Sequence, residues 1–368
     1  MRIVVAGGGI GGLALAIALR RRGIRCVVLE RDRVLSSAGG GLQLSPNGTA
    51  VLRRLGLGAA LDGGFRPAGR QLRRWRDGGL IGRVPLGRDA LSRYGDPYVT
   101  LRRSTLRRLL YDVVAPQVHL GRAATALLGS GVTVADGGFE PADVVIGADG
   151  LNSTVRPHLI ADPLRFSGHV AYRAVVPGTM LSTVDVLVWL GPGRHFVCYP
   201  IDQGRNLNLV ATLPAAVPPP PARGVRADEL LPAYAGWDPT VRGLLSAARS
   251  FDRHPLFERP APGPRSWGRV ALLGDAAVPM LPFLAQGACQ ALEDAESLAR
   301  HIGGPDGLAG YAADRQERAE QVAAASRAGA HDNHLADGAD QRRRDRHLAG
   351  LTLSDLDWIY APPGRVPA

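Results

Sequence analysis

Apolar residues fall into two regimes along this chain. In the first, short apolar runs over 2–6, 26–30, 142–147 and 270–273 stop at a glycine or an acid, and each reads as a buried strand. The first run leads through glycines into a helical pattern over 13–22. The last leads through a loop with Pro279 and Pro282 into an amphipathic helix, opened by Gly287 and ending near His301. Further helices are predicted over 48–57, stopped by Gly58, and over 101–114, with Ser104 or Thr105 as cap. Two more are predicted over 226–249 and 310–330, the latter packed on the outside.

The second regime runs over 166–213, where β-branched and aromatic residues alternate with polar ones between prolines and glycines. Strands over 170–176, 184–190, 195–201 and 207–213 follow, forming an antiparallel sheet separate from the first group. Residues 69–85, turning at Asp77-Gly78-Gly79, add two strands outside the first group. The proline-rich stretch 214–221 reads as a stiff connector. The tail from His331 is polar, but Leu356, Trp358 and Tyr360 predict that it docks.

Length and composition narrow the classes. With 368 residues and 45% hydrophobic content, the chain can bury a sizeable core. Net charge is +11 and all 44 basic residues are arginine, which excludes a Schiff-base or P-loop lysine and favours anionic small molecules. Scattered arginines and 5% aromatics argue against nucleic acid. Cys26, Cys198 and Cys289 have no paired spacing, which suits a reducing cytoplasm rather than a disulfide framework or a zinc site. The run over 3–19 carries five glycines in a fingerprint and is read as such, not as a signal-peptide core, and no other run could span a bilayer.

Candidate chemistry sits at the strand ends. In Gly7-Gly-Gly9-Ile-Gly-Gly12, Gly7 permits a tight turn, Gly9 lets a pyrophosphate approach the backbone, and Gly12 lets helix and strand pack closely. Glu30 lies 18 residues beyond Gly12, where an acid meets a ribose hydroxyl, and Arg31 follows it. An adenine dinucleotide is implied, with NAD and FAD undistinguished. Asp275 at a strand end can accept hydrogen bonds from a polyol, and the amides of Gln286, Gly287 and Ala288 stand at the positive end of a helix dipole. A ribityl chain and the negatively charged edge of reduced flavin suit that cradle.

Three segments in order resemble the single-component FAD-dependent aromatic hydroxylases, of the salicylate and 6-hydroxynicotinate hydroxylase kind. They are the Gly7 to Gly12 fingerprint, Asp149-Gly150 with Ser153 and Arg156, and Gly274-Asp275 through Gln286-Gly287. Arg103 is similar to the family's flavin-contacting arginine. The resemblance implies an α/β fold: a Rossmann-like, glutathione-reductase-type FAD-binding domain, a second domain on a mostly antiparallel sheet, and C-terminal helices. It divides the chain into an FAD domain of 1–68, 100–165 and 267–330, a substrate domain of 69–99 and 166–266, and a tail of 331–368 on the FAD domain.

The resemblance implies further that NADH or NADPH reduces the flavin, that O2 adds at C4a, and that the hydroperoxide oxygenates an electron-rich ring. Glu30 would meet the adenosine ribose, Arg103 and Asp275 the ribityl or pyrophosphate, Asp149 both FAD and NAD(P)H, and backbone at Gln286 and Gly287 the pyrimidine edge. The hydroxynicotinate branch has a His and a Tyr spaced as His195 and Tyr199, so these are candidates to orient and help deprotonate a phenol-like substrate, His195 as a histidine titrating near neutrality. Strand alternation puts His195, Val197 and Tyr199 on one face and Phe196 and Cys198 on the other. Gln43 and Arg173 are further pocket candidates, Arg173 as a carboxylate clamp.

The chain departs from the family at Val278, where many relatives have histidine, and at Ala285, where glycine is usual. Val278 predicts an apolar or bulky substrate other than salicylate. An epoxidase of an indole or polyene, a reductase on the same scaffold, and a flavin-binding partner protein without turnover are the alternatives.

Overall fold

The computed structural model describes residues 1–36, 39–259 and 263–364. Ala38, which opens the glycine-rich stretch before Gly41, lies outside them, as do 260–262 of the expected substrate domain and 365–368 of the tail. Five short apolar segments run parallel in one sheet, in the spatial order Val118–Leu120, Cys26–Glu30, Ile3–Ala6, Val144–Gly147 and Val270–Leu272. Ser266–Trp267 closes one edge antiparallel.

Alternation along the first strand decides what each face buries. Ile3 and Val5 join the core beneath the helices Ile10–Arg21, Arg103–Val114 and Gly287–His301. Val4 and Ala6 point the other way, among Val132, Val134 and Val155. Val132 and Val134 belong to a three-stranded antiparallel sheet of Ala124–Leu128, Gly131–Val134 and Phe139–Pro141, which the sequence pattern had not signalled. Because the central sheet is covered on both faces, its strands need no polar alternation.

The first helix begins at Ile10, three residues earlier than the pattern over 13–22 suggested, with Gly9 extended at its N-cap. The turn before it requires glycine. Gly7 has φ +111°, and a Cβ there would stand 2.3 Å from the Ala148 carbonyl oxygen.

The second sheet has eight strands, in the order Ala222–Val225, Phe251–Glu258, Arg165–Pro177, Asn206–Pro214, Arg194–Ile201, Val186–Gly191, Gly69–Arg74 and Leu80–Pro85. It is antiparallel except where Gly69–Arg74 runs alongside Val186–Gly191. Phe196 and Cys198 turn into a core with Trp189, Tyr234 and Trp237, as alternation along that strand requires. The single helical segment expected over 226–249 is broken into Ala227–Leu230, a 3-10 turn Leu231–Tyr234 and Pro239–Ala247. Pro232 and Pro239 lack the amide hydrogen that a continuous helix needs, and Asp238 caps the last piece by accepting from the Thr240 amide at 2.9 Å.

The tail crosses both halves. Helix Ala339–Ala349 lies against Leu80–Pro85, close enough that a Cβ on Gly82 would stand 2.2 Å from the Leu348 carbonyl oxygen. Tyr360 packs with ring centroids 6.0 Å from Tyr94 and 5.8 Å from Tyr98. No helix among the described residues is long and apolar enough to cross a membrane.

Candidate active site

Where the two sheets face each other, a cleft of about 700 Å³ runs from Glu30 at one end to Tyr199 and Thr212 at the other. The fingerprint forms its floor. Gly7, Gly9, Gly11, Arg31, Arg103 and Asp149 all line it, and a Cβ on Gly9 would meet nothing within 4 Å. Gly12 does not line the cleft. A methyl there would stand 2.0 Å from the Gly7 carbonyl oxygen, so its part is the close helix-to-strand packing expected of it.

Glu30 is held rigidly, accepting from the Gly8 amide at 2.8 Å and the Asp32 amide at 2.8 Å. Arg107 pairs with the same carboxylate at 2.8 Å and donates to the Gly8 carbonyl at 2.8 Å. A carboxylate has roughly four lone-pair sites, so one is left for a sugar hydroxyl. Arg107 escaped the sequence reading because it lies far along the chain, in a helix whose several arginines look alike; only its i−4 partner Arg103 carried a family signal.

Asp149 accepts at Oδ2 from the Thr154 amide at 2.7 Å and its hydroxyl at 3.0 Å, while Oδ1 is shielded and has no partner among the described residues. The carboxylate thus holds the turn at Thr154 beside the cleft, with its other oxygen turned away from it. Further along, Asp275 opens onto the cleft near Gly287, its Oδ1 standing 3.9 Å from where a Gly287 Cβ would be. Although Asp275 is exposed to the open cleft, enclosure by the surrounding protein raises its carboxyl above the usual range, Arg103 opposes this, and Asp294 adds to it. Gly287 and Ala288 line the cleft at the start of a 15-residue helix, where unpaired amides and the helix dipole favour negative charge.

Gln286 was expected to serve through its backbone amide, and its side chain has a separate role. It does not line the cleft; its side chain turns inward, donating to Ser45 Oγ at 2.7 Å and accepting from Asn47 Nδ2 at 3.1 Å. Ala285 does line it, in a left-handed conformation with φ +55°, which explains why glycine is the comfortable residue at that position. Val278 is buried with Ala276 and Ala277 beneath the parallel sheet and does not line the cleft, so it carries no information about the substrate.

At the sheet end, His195, Val197 and Tyr199 line the cleft, as alternation had placed them. One expected property is corrected, that of the histidine. His195 does not titrate near neutrality: burial pulls it down to about 3, and His169 contributes. Burial likewise raises the Tyr199 phenol well above its ordinary value, so Tyr199 is a neutral hydrogen-bonding group. Gln43 ties the wall together, accepting from the Tyr98 hydroxyl at 2.7 Å. A Cβ on Gly41 would stand 2.9 Å from Tyr199, which is why this strand carries glycine where it crosses the ring. Arg173 also lines the cleft; burial works against its charge, Tyr199 offsets part of this, and Arg103 adds repulsion. Thr212 and the second histidine at 334 were not anticipated, since nothing in their local sequence marks them.

A family model described as an FAD binding domain matches residues 1–89. A 3-amino-4-hydroxybenzoate 2-monooxygenase of Streptomyces platensis is 41% identical over 377 residues, covering 98% of this chain and 95% of the relative. A 6-hydroxynicotinate 3-monooxygenase of Bordetella bronchiseptica is 35% identical over 355 residues, covering 90% and 91%. Klebsiella pneumoniae HpxO, solved with FAD and uric acid, matches with a TM-score of 0.86 at 26% identity, covering 99% of this chain and 97% of that one. The bare amides at the helix openings and the open glycine along the floor fit an extended FAD. With relatives of 41% and 35% identity matching over nearly the whole length, the chain belongs to the single-component FAD-dependent aromatic hydroxylases, which are reduced by NAD(P)H.

Proposed function

We propose that the protein hydroxylates an aromatic carboxylate that already bears a hydroxyl or amino group, with O2 as co-substrate, and that the sheet end of the cleft is where that ring lies. One observation carries the carboxylate. The Arg173 guanidinium lines the cleft, half-buried and with no hydrogen bond or ion pair among the described residues, and its partial burial works against an unpaired charge. An aryl carboxylate supplies the missing partner bidentately. The first relatives act on acids of that kind by name.

Glu30 would hold the adenosine ribose, the amides after Gly8 the pyrophosphate, Asp149, Arg103 and Asp275 the linking chain, and the Gly287 and Ala288 amides the electron-rich edge of the ring. When bound and reduced, the flavin supplies activated oxygen. The chain's own residues do the rest. Arg173 fixes one end of the substrate, Tyr199 and His195 meet its hydroxyl as neutral hydrogen-bonding groups, and Val197, Met280 and Leu281 keep water from the reacting ring. We propose also that the two facing sheets correspond to separate FAD and substrate domains, and that the protein works in a reducing cytoplasm, which suits its three buried, unbridged cysteines.

The test is NADH or NADPH oxidation with oxygen uptake across 3-amino-4-hydroxybenzoate, hydroxybenzoates, hydroxynicotinates and their carboxamides. Stimulation should follow the carboxylates, and equal stimulation by neutral aminophenols would remove the clamp. Asp275→Ala should release FAD at least tenfold more readily, read as flavin content after gel filtration. Tyr199→Phe should leave flavin content intact and lower turnover of the preferred acid about tenfold, the worth of one hydrogen bond to a developing negative charge.

A further inference from the structure

Behind His195 stands a residue outside the cleft. His334, in the turn after helix Gly307–Asp332, brings Nε2 to 2.8 Å from His195 Nδ1, the two rings lying edge to edge with centroids 5.0 Å apart and planes 28° apart. The turn is pinned there because the Gly193 amide donates to the His334 carbonyl at 2.8 Å. His195 Nε2 lies on the other side of its ring, 3.4 Å from the hydroxyl of Thr212, which lines the cleft.

Between the two rings there is one proton to place, and hydrogen-bond accounting places it. His334 Nδ1 is shielded and has no partner among the described residues. Were His195 the donor at Nδ1, neutral His334 would carry its own proton on Nδ1, a buried N–H with no acceptor. With His334 donating from Nε2, its Nδ1 is only a bare lone pair, and unsatisfied buried acceptors are better tolerated than unsatisfied donors. His195 then has a lone pair at Nδ1 and its proton at Nε2, beside Thr212 on the cleft wall.

We propose that His334 is a positioning residue that locks His195 as a neutral Nε2–H donor, so that the cleft receives the substrate hydroxyl in its ionised, electron-rich form. His195 is then not the base that removes the proton; it is the donor that stabilises the resulting oxide. The titratable groups packed on the pair are consistent with neutrality. His169 on Arg165–Pro177 lies 4.6 Å from His334, Phe283 adds an uncharged edge, and among the described residues no carboxylate pairs with either ring. Arg173 and Tyr199 face the same end of the cleft. The inference rests on the proposed hydroxyaryl substrate.

Two measurements on the FAD-loaded protein test it without turnover. Nitrogen chemical shifts of ring-labelled histidine, read without substrate, should show His195 protonated at Nε2 and bare at Nδ1 between about pH 6 and 9; the opposite tautomer, or an imidazolium in that range, overturns the proposal. In the absence of NAD(P)H, the absorbance of bound 3-amino-4-hydroxybenzoate against pH should give a phenolate midpoint that rises by about one pH unit in His334→Leu, a tenfold change in ionisation. His334→Gln, whose amide can still donate to Nδ1, should restore the wild-type midpoint. Equal midpoints in the wild type and His334→Leu, or equal shifts in the Leu and Gln variants, would leave His334 a packing residue. Failure of the wild type to bind any hydroxyaryl carboxylate would instead remove the substrate reading, while the nitrogen shifts would still decide the tautomer.

Discussion

Arg315→Met should lower the unfolding free energy by about 3–5 kcal/mol, because it strips the central cation from a buried cluster of acids. Glu293 and Asp294 are adjacent on helix Gly287–His301 and only 2% and 1% exposed. Arg315, itself 2% exposed, donates to Glu293 at 2.6 Å, to Asp294 at 2.8 Å and to Gln290 at 2.7 Å. Arg318 adds a second contact to Glu293 at 2.7 Å, and Arg265 one to Asp294 at 3.1 Å. Asp294 in turn accepts from the Gly274 amide at 2.9 Å, and Glu293 from Asn47 at 2.6 Å, so the cluster positions the turn before Asp275. Removing Arg315 should therefore also loosen FAD. An unfolding free energy, extrapolated from denaturant titration, within about 0.5 kcal/mol of wild type would show that the remaining arginines suffice.

The same cluster sets an acid limit. Burial alone would raise both carboxyls, but Arg315 with Arg318 for Glu293, and Arg265 with Arg315 for Asp294, hold them below the usual carboxylate range. A depressed folded-state pKa contributes stability that is complete above the unfolded value, about 4, and is lost as pH falls through the folded value. Wild type should lose nothing from this source above about pH 5. In Arg315→Met the acids are still buried but less compensated, so their pKa values rise and acid unfolding should begin at higher pH.

Arg173→Gln should raise the dissociation constant of the aromatic acid roughly 100-fold, about 3 kcal/mol, by removing a charge-assisted pair from a shielded site. Flavin content should not change, since Arg173 stands on strand Arg165–Pro177 in the second sheet, away from the fingerprint strand. The neutral carboxamide should bind wild type and variant with similar affinity. If acid and amide lose affinity equally, Arg173 shapes the wall and does not recognise charge.

Local order wrote much of this protein. The fingerprint from Gly7 to Gly12, the acid ending one strand at Glu30 and the acid in the turn after another at Asp275, and the alternation that sends His195 and Tyr199 to one face are properties of neighbouring residues, governed by strand period and glycine stereochemistry. These were legible before any fold was known. The break of 226–249 into three pieces was legible too, at Pro232 and Pro239, but apolar periodicity masked it.

Tertiary structure alone decided which groups answer one another. Arg107 reaches Glu30 from 77 positions away, Arg315 reaches Glu293 from the next helix, and His334 reaches His195 from the far end of the chain. Protonation followed from that assembly, because whether a histidine or carboxylate is charged depends on the water removed from it and the counter-charges brought to it, and both come from residues distant in sequence.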